Sequence, residues 1–122
     1  MSRAYRDFLA DIVAHAEDAI ACVAGLSLAE VEVDRLRRLA LERCFEIIGE
    51  AAGKLDPVIR TRHPEIPWAE MIAVRNRVAH AYFAVYIAIL YRTAYDLLPP
   101  LLPLLRQVLH DTIRAETGGP PG

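Results

Sequence analysis

Arg38-Leu39-Ala40-Leu41-Glu42-Arg43-Cys44-Phe45-Glu46-Ile47-Ile48-Gly49-Glu50-Ala51-Ala52-Gly53-Lys54-Leu55 decides the fold. Ala40, Cys44, Ile47, Ile48, Ala51 and Leu55 recur every three to four residues, which is the spacing of one helix face. Leu41, Phe45 and Ala52 widen that stripe beyond the arc a single neighbour covers, so the helix is expected to need more apolar cover than one monomer's core supplies. Glu42, Glu46 and Glu50 repeat beside Arg38 and Arg43, the pattern of a solvated ion-pair face. A di-metal bundle would use Glu-x-x-His pairs, and the chain has none, so no metal site is assigned.

Moving upstream, Ser27 with Glu30 forms a capping box that starts this helical region, with a break near Val33. Before it, Phe8, Ile12, Ala16, Ala19 and Val23 predict a first helix from after Ser2 to Gly25. Downstream, Asp56-Pro57 caps a short turn through Val58, Ile59 and Arg60 that His63-Pro64 ends. Pro67 and Trp68 open a further helix carrying Met71, Ile72, Val74 and Val78. A last helical region is predicted to begin between Val85 and Ile89, with Pro99, Pro100 and Pro103 interrupting or kinking it before a final segment from Val108 to Ala115.

The 122 residues amount to one domain, rich in Ala, Leu, Arg and Glu, with few aromatic residues and no strand signature. The fold class is therefore all-α. A net charge of −2 excludes long-range electrostatic steering toward a polyanion, so any such site is local. Cys22 and Cys44 lack redox or metal spacing and read as small buried hydrophobes, compatible with a reducing cytoplasm. The N-terminus lacks a signal-peptide layout, and the uncharged run from Ala81 to Tyr91 is too short to span a bilayer, so a cytoplasmic protein without a membrane partner is expected.

Chemistry concentrates in Arg75-Asn76-Arg77-Val78-Ala79-His80-Ala81-Tyr82, an Arg-x-x-x-x-His-x-Tyr element. An imidazole titrating near neutral pH can move the proton of a ribose 2′-hydroxyl or of a leaving 5′-oxygen, and a guanidinium can stabilise charge building on phosphoryl oxygens. Asn76 could orient the imidazole or donate to a phosphate oxygen, and Tyr82 could hold a nucleotide. No cofactor is needed. A regular helix sets Arg75 and His80 about 140° apart, so they converge only if Arg75 reaches round, if the helix ends near His80, or if a second copy brings the complementary set. One Arg and one His at this spacing also occur in helices without chemistry. His15, His63 and His110 read as surface or capping residues, and Arg35, Arg37, Arg38, Arg60 and Arg62 as a salt-bridged exterior that could extend a phosphate surface. No phosphate loop, nucleophile elbow or zinc spacing is present.

From about Tyr5 to Leu109 the chain resembles the HEPN-fold toxins of the HepT type, partners of minimal nucleotidyltransferase (MNT) antitoxins. The resemblance rests on Phe45-Glu46-Ile47-Ile48-Gly49-Glu50-Ala51-Ala52, on His63-Pro64-Glu65-Ile66-Pro67-Trp68 and on Val74 to Phe83 around the motif. It implies an up-and-down helical bundle of HEPN type over residues 1–116, followed by a disordered Gly/Pro tail at 117–122. It further implies a homodimer whose motifs share a cleft, and metal-independent endoribonuclease activity. Arg75 and His80 would be the catalytic pair with Asn76 beside them, and Tyr82 would be the residue to which the MNT antitoxin transfers AMP. Where such proteins commonly read Phe-Gly-Val-Asp, this chain has Phe83-Ala84-Val85-Tyr86, which restricts the turn, removes a helix cap and predicts a different loop path beside Tyr82. The alternative is a non-catalytic HEPN module that binds nucleotide or scaffolds a nucleotidyltransferase. A structural ion-binding bundle resting on the glutamate ladder is the third reading.

Overall fold

A computed structural model describes residues 4–80 and 83–118, and within them the side chains of 75–80 and 83 lie outside the description. The described residues contain no strand and form seven α-helices: α1 (Tyr5–Val23), α2 (Leu28–Glu32), α3 (Arg35–Gly53), α4 (Pro57–Arg62), α5 (Trp68–His80), α6 (Phe83–Arg92) and α7 (Leu98–Thr117). A π-helical turn, Thr93–Leu97, joins the last two.

The capping box forms as expected: the Glu30 N–H donates to Ser27 Oγ at 3.2 Å, and the Ser27 N–H donates to Glu30 Oε1 at 3.0 Å. It starts only the short α2. Val33, 84% exposed, ends that turn, and Asp34 restarts the chain by accepting from the Arg37 N–H at 3.1 Å. Arg37 then ties the cap of α3 to α1, its Nε donating to Asp34 Oδ2 and its Nη1 to the Cys22 carbonyl, both at 3.1 Å. Arg38 donates to the Glu32 carbonyl. Two of the arginines considered for a phosphate surface are thus occupied in closing helix ends. Gly25, at φ 72°, makes the left-handed turn out of α1 that lets α2 begin so soon.

Leu41, Cys44, Phe45, Ile48, Ala51 and Ala52 are buried on α3, because the helix lies between α1 on one side and α5 on the other. This accounts for most of the breadth of its apolar stripe within one chain, and leaves Ile47 half-buried. Ala40 is exposed, so the buried arc is centred on Leu41, Phe45, Ile48 and Ala52. Leu9, Ile12, Ala16, Ala19 and Val23 supply the facing side of α1, whose opposite flank meets Leu101, Leu105 and Val108 of α7. The leucine, isoleucine and valine side chains among these each contribute roughly 1.5–3 kcal/mol on burial. The rim pairs across these helices, Arg6 to Glu116 and Arg106 to Glu17, both at 3.7 Å, are exposed and add little.

Two expectations fail at the C-terminal end. α6 begins at Phe83, earlier than predicted, so Ala84, Val85 and Tyr86 are helical and Tyr86 is buried in the core. A loop at those positions is ruled out: alanine favours helix, and Tyr86, Ile87 and Leu90 give the segment an apolar side to bury. The prolines do not interrupt the chain either. Pro99 and Pro100 sit in the first turn of α7, where missing N–H groups cost least, and Pro103 lies inside a helix that continues to Thr117. The π turn precedes them: the Leu98 N–H donates to the Thr93 carbonyl, and Thr93 Oγ1 donates back to the Ile89 carbonyl at 2.7 Å. Widening the helix there moves its carbonyls off the line that proline rings would strike. The tail expected at 117–122 starts later than that, because α7 includes Thr117 and Gly118, at φ 65°, caps it; residues 119–122 lie outside the described residues.

Candidate functional site

The connection that leads into the motif is built rigidly. Asp56 caps α4 by accepting from the Val58 N–H at 2.9 Å, and Pro57 follows in the first turn. His63 ends α4, and its carbonyl accepts from Trp68 Nε1 at 3.0 Å. The buried Trp68 ring therefore holds the chain as it turns into α5, while Ile66, Met71 and Val74 pin this segment to the core. One face of α5 is fixed against α3, and the helix runs to His80.

Arg75, Asn76 and His80 lie on the last described turns of α5, and the described residues beyond the motif are helical from Phe83. Within α5 the backbone positions of Asn76 and His80 are about 40° apart around the axis, and those of Arg75 and His80 about 140°. Tyr82 and the side chains of Arg75, Asn76 and His80 lie outside the described residues.

Two of the other histidines seen in the sequence have local partners. His15 Nδ1 lies 2.7 Å from the Asp11 carbonyl, and His63 Nδ1 lies 3.5 Å from Glu65 Oε1. A groove of about 320 Å³ between α1 and α3 is bordered by Phe8, Asp11, His15, Arg43, Glu50 and Lys54. Its cations are paired, Lys54 Nζ lying 3.1 Å from Glu50 within the groove and Arg43 Nη1 3.5 Å from Glu46 outside it. The glutamate ladder is therefore largely an ion-pair face. Among the described residues no group of three or more His, Cys, Asp or Glu side chains could hold a metal ion. Burial pushes the Cys44 thiol up to about 11, aided by Cys22 and Asp18, and raises Cys22 as well, so both thiols stay protonated at neutral pH.

One constellation escaped the sequence reading. Tyr91 and Tyr95 stack with ring centroids 5.4 Å apart and an interplanar angle of 20°. The Tyr91 hydroxyl donates to the Leu26 carbonyl at 2.6 Å, fastening α6 to the turn between α1 and α2. Desolvation, with Tyr95, Asp96 and Glu30 nearby, raises the Tyr91 phenol above its ordinary value and keeps it a neutral donor. The signal was available in the sequence as an aromatic pair four residues apart.

No helix among the described residues is long and apolar enough to cross a membrane. No solved structure matches the chain. The family described as Ribonuclease HepT-like matches residues 12–108. The protein named probable ribonuclease HepT of Thermococcus cleftensis is 34% identical over 101 residues, covering 83% of this chain and 92% of that one. The provisionally named RNase TTE0752 of Caldanaerobacter subterraneus subsp. tengcongensis is 32% identical over 104 residues, covering 85% and 93%. The provisionally named RNase MJ1380 of Methanocaldococcus jannaschii is 31% identical over 99 residues, covering 81% and 91%. With four-fifths of its length matched and its helical core accounted for, the chain belongs to the HepT-like ribonuclease family.

Proposed function

We propose that this ribonuclease is a metal-independent endoribonuclease toxin, cytoplasmic and homodimeric, that cleaves RNA at a cleft shared by the Arg75-to-Tyr82 elements of two copies. The observation that carries the proposal is that α5, pinned to the core by Trp68, Met71 and Val74, carries Arg75, Asn76 and His80 on its last described turns in a chain of the HepT-like ribonuclease family. His80 then serves as general acid and base on the 2′-hydroxyl and the leaving 5′-oxygen, and Arg75 stabilises the phosphoryl oxygens. Asn76 orients the imidazole or donates to the phosphate. Attack by the 2′-oxygen forms a bond to phosphorus as the bond to the 5′-oxygen breaks, and the proton lost by the first oxygen is matched by the one gained by the second.

Control of such an activity falls to a nucleotidyltransferase partner of the MNT type that transfers AMP to Tyr82. A bulky anion next to a phosphate-binding site both fills it and repels the strand. Support comes from the resemblance around the motif and from the position of Tyr82 two residues beyond His80.

The test is cleavage of RNA by the purified chain, freed of any partner and shown by mass to be unmodified, in the presence of EDTA. Wild type is expected to cut, and His80→Ala and Arg75→Ala are expected to lose at least about a hundredfold in rate. Equal rates for wild type and His80→Ala would remove the catalytic assignment. A wild-type chain that neither cuts RNA nor harms cells would favour the scaffold reading.

A further inference from the structure

The stacked tyrosines lie on α6 and the π turn that follows it. Tyr95 is twelve residues beyond Phe83, so at about 1.5 Å per residue it stands roughly 18 Å along the α6 direction from Phe83, the residue that follows the motif in sequence. That is the length of about five stacked nucleotides of one strand. One face of the Tyr95 ring is taken up by Tyr91, yet the residue is still 51% exposed, so the other face is open to solvent. Exposed Arg92 is one helical turn before it and makes no ion pair among the described residues. Ala84 and Val85 are also exposed between this point and the motif, so the outer side of α6 is accessible at both its ends.

Burial does not account for this arrangement, because an aromatic ring half in water gains little from it. Preorganisation does. Tyr91 is pinned at its hydroxyl by the Leu26 carbonyl, and Tyr95 is held flat against it, so the open ring face is fixed before anything binds. A ring already held in place loses less freedom on stacking a further planar group. The π turn at Thr93–Leu97 includes Tyr95, and such turns interrupt helices most often where a side chain has to be aimed.

We propose that Tyr95, seated on Tyr91, is a stacking platform for an unpaired nucleobase of the RNA, with Arg92 beside it for the adjoining phosphate. The inference rests on the ribonuclease reading for the identity of its ligand. Stacking tolerates any base, because every base has a π face, so the platform lengthens the footprint without adding sequence preference. Asp96 and Glu30 lie close by and repel phosphates, which confines the contact to the base and to the phosphate at Arg92. The platform distinguishes flexible single strands, whose bases can splay onto a ring, from paired RNA, whose bases are already stacked on one another.

The experiment pairs protein and RNA changes. Affinities of labelled single-stranded RNA are measured by fluorescence anisotropy in a His80→Ala background, which prevents cutting, using oligonucleotides with a single abasic position moved along the strand. Tyr95→Ala is expected to weaken binding of the intact strand about tenfold, and Tyr95→Phe or Tyr95→Trp to restore it. At one position the abasic change should produce the same loss in the Tyr95 background and no further loss in Tyr95→Ala. Finding no position that couples to Tyr95 overturns the platform, as does an unbound RNA with the folded wild-type surface. A Tyr95→Ala variant that changes the sedimentation mass and leaves RNA affinity intact makes the face a protein interface and also overturns it. Coupling with undiminished cleavage by His80→Ala leaves the platform standing and removes the catalytic assignment instead.

Discussion

Ser27 and Glu30 hold each other's backbone amides at the start of α2, and the carboxylate of Glu30 is drawn below its ordinary value mainly by the Ser27 amide. A depressed carboxyl contributes stability above the unfolded value of 4.5 and loses it as pH falls through the folded one. Acid melting should therefore show Glu30→Gln converging on wild type below pH 4.5 and falling short of it near neutrality. Ser27→Ala should cost roughly 1 kcal/mol in urea unfolding at neutral pH. These two residues were legible in the sequence because a capping box is local: spacing alone specifies both bonds. Tyr91 and Tyr95 were not recognised, since the value of that pair comes from the Leu26 carbonyl, which only the packing of α6 against the first turn brings within reach.

At the scale of elements, α1, α3, α4 and α5 follow from apolar period, caps and the Asp-Pro and Pro-Trp punctuation. The break at Val33 was readable too, but Ala40 was misplaced because a stripe with two neighbours has no sharp edge in sequence. The prolines misled for a definite reason. Proline argues against a helix built on i to i−4 bonds, and the chain answers with a π turn whose i to i−5 bond leaves no periodic trace. Pro103 is exposed and lies inside α7, so Pro103→Ala is expected to raise stability by about 1 kcal/mol or more, read as a higher urea midpoint. A loss of stability would mean that α7 depends on proline at this position.

For the whole molecule, the bundle is closed by α1, which touches both α3 and α7, while the motif sits at the far end of α5. The proposed two-copy cleft would tie activity to assembly. Sedimentation of the purified chain should give about twice its 13.6 kDa mass, and specific activity should fall on dilution together with that mass. Activity that persists in a demonstrated monomer would confine the site to one chain. The π turn acquires another meaning at this scale. It acts as a phase shifter: one residue more or fewer within 93–97 turns everything beyond it by about 100° around the axis of α7. Leu101, Leu105 and Val108 would then swing away from α1 together, so the side-chain register of the longest helix is set by a five-residue segment that itself buries only Ala94. In urea unfolding, one-residue insertions after Gly118 should leave the midpoint unchanged, and one-residue insertions within 93–97 should lower it sharply.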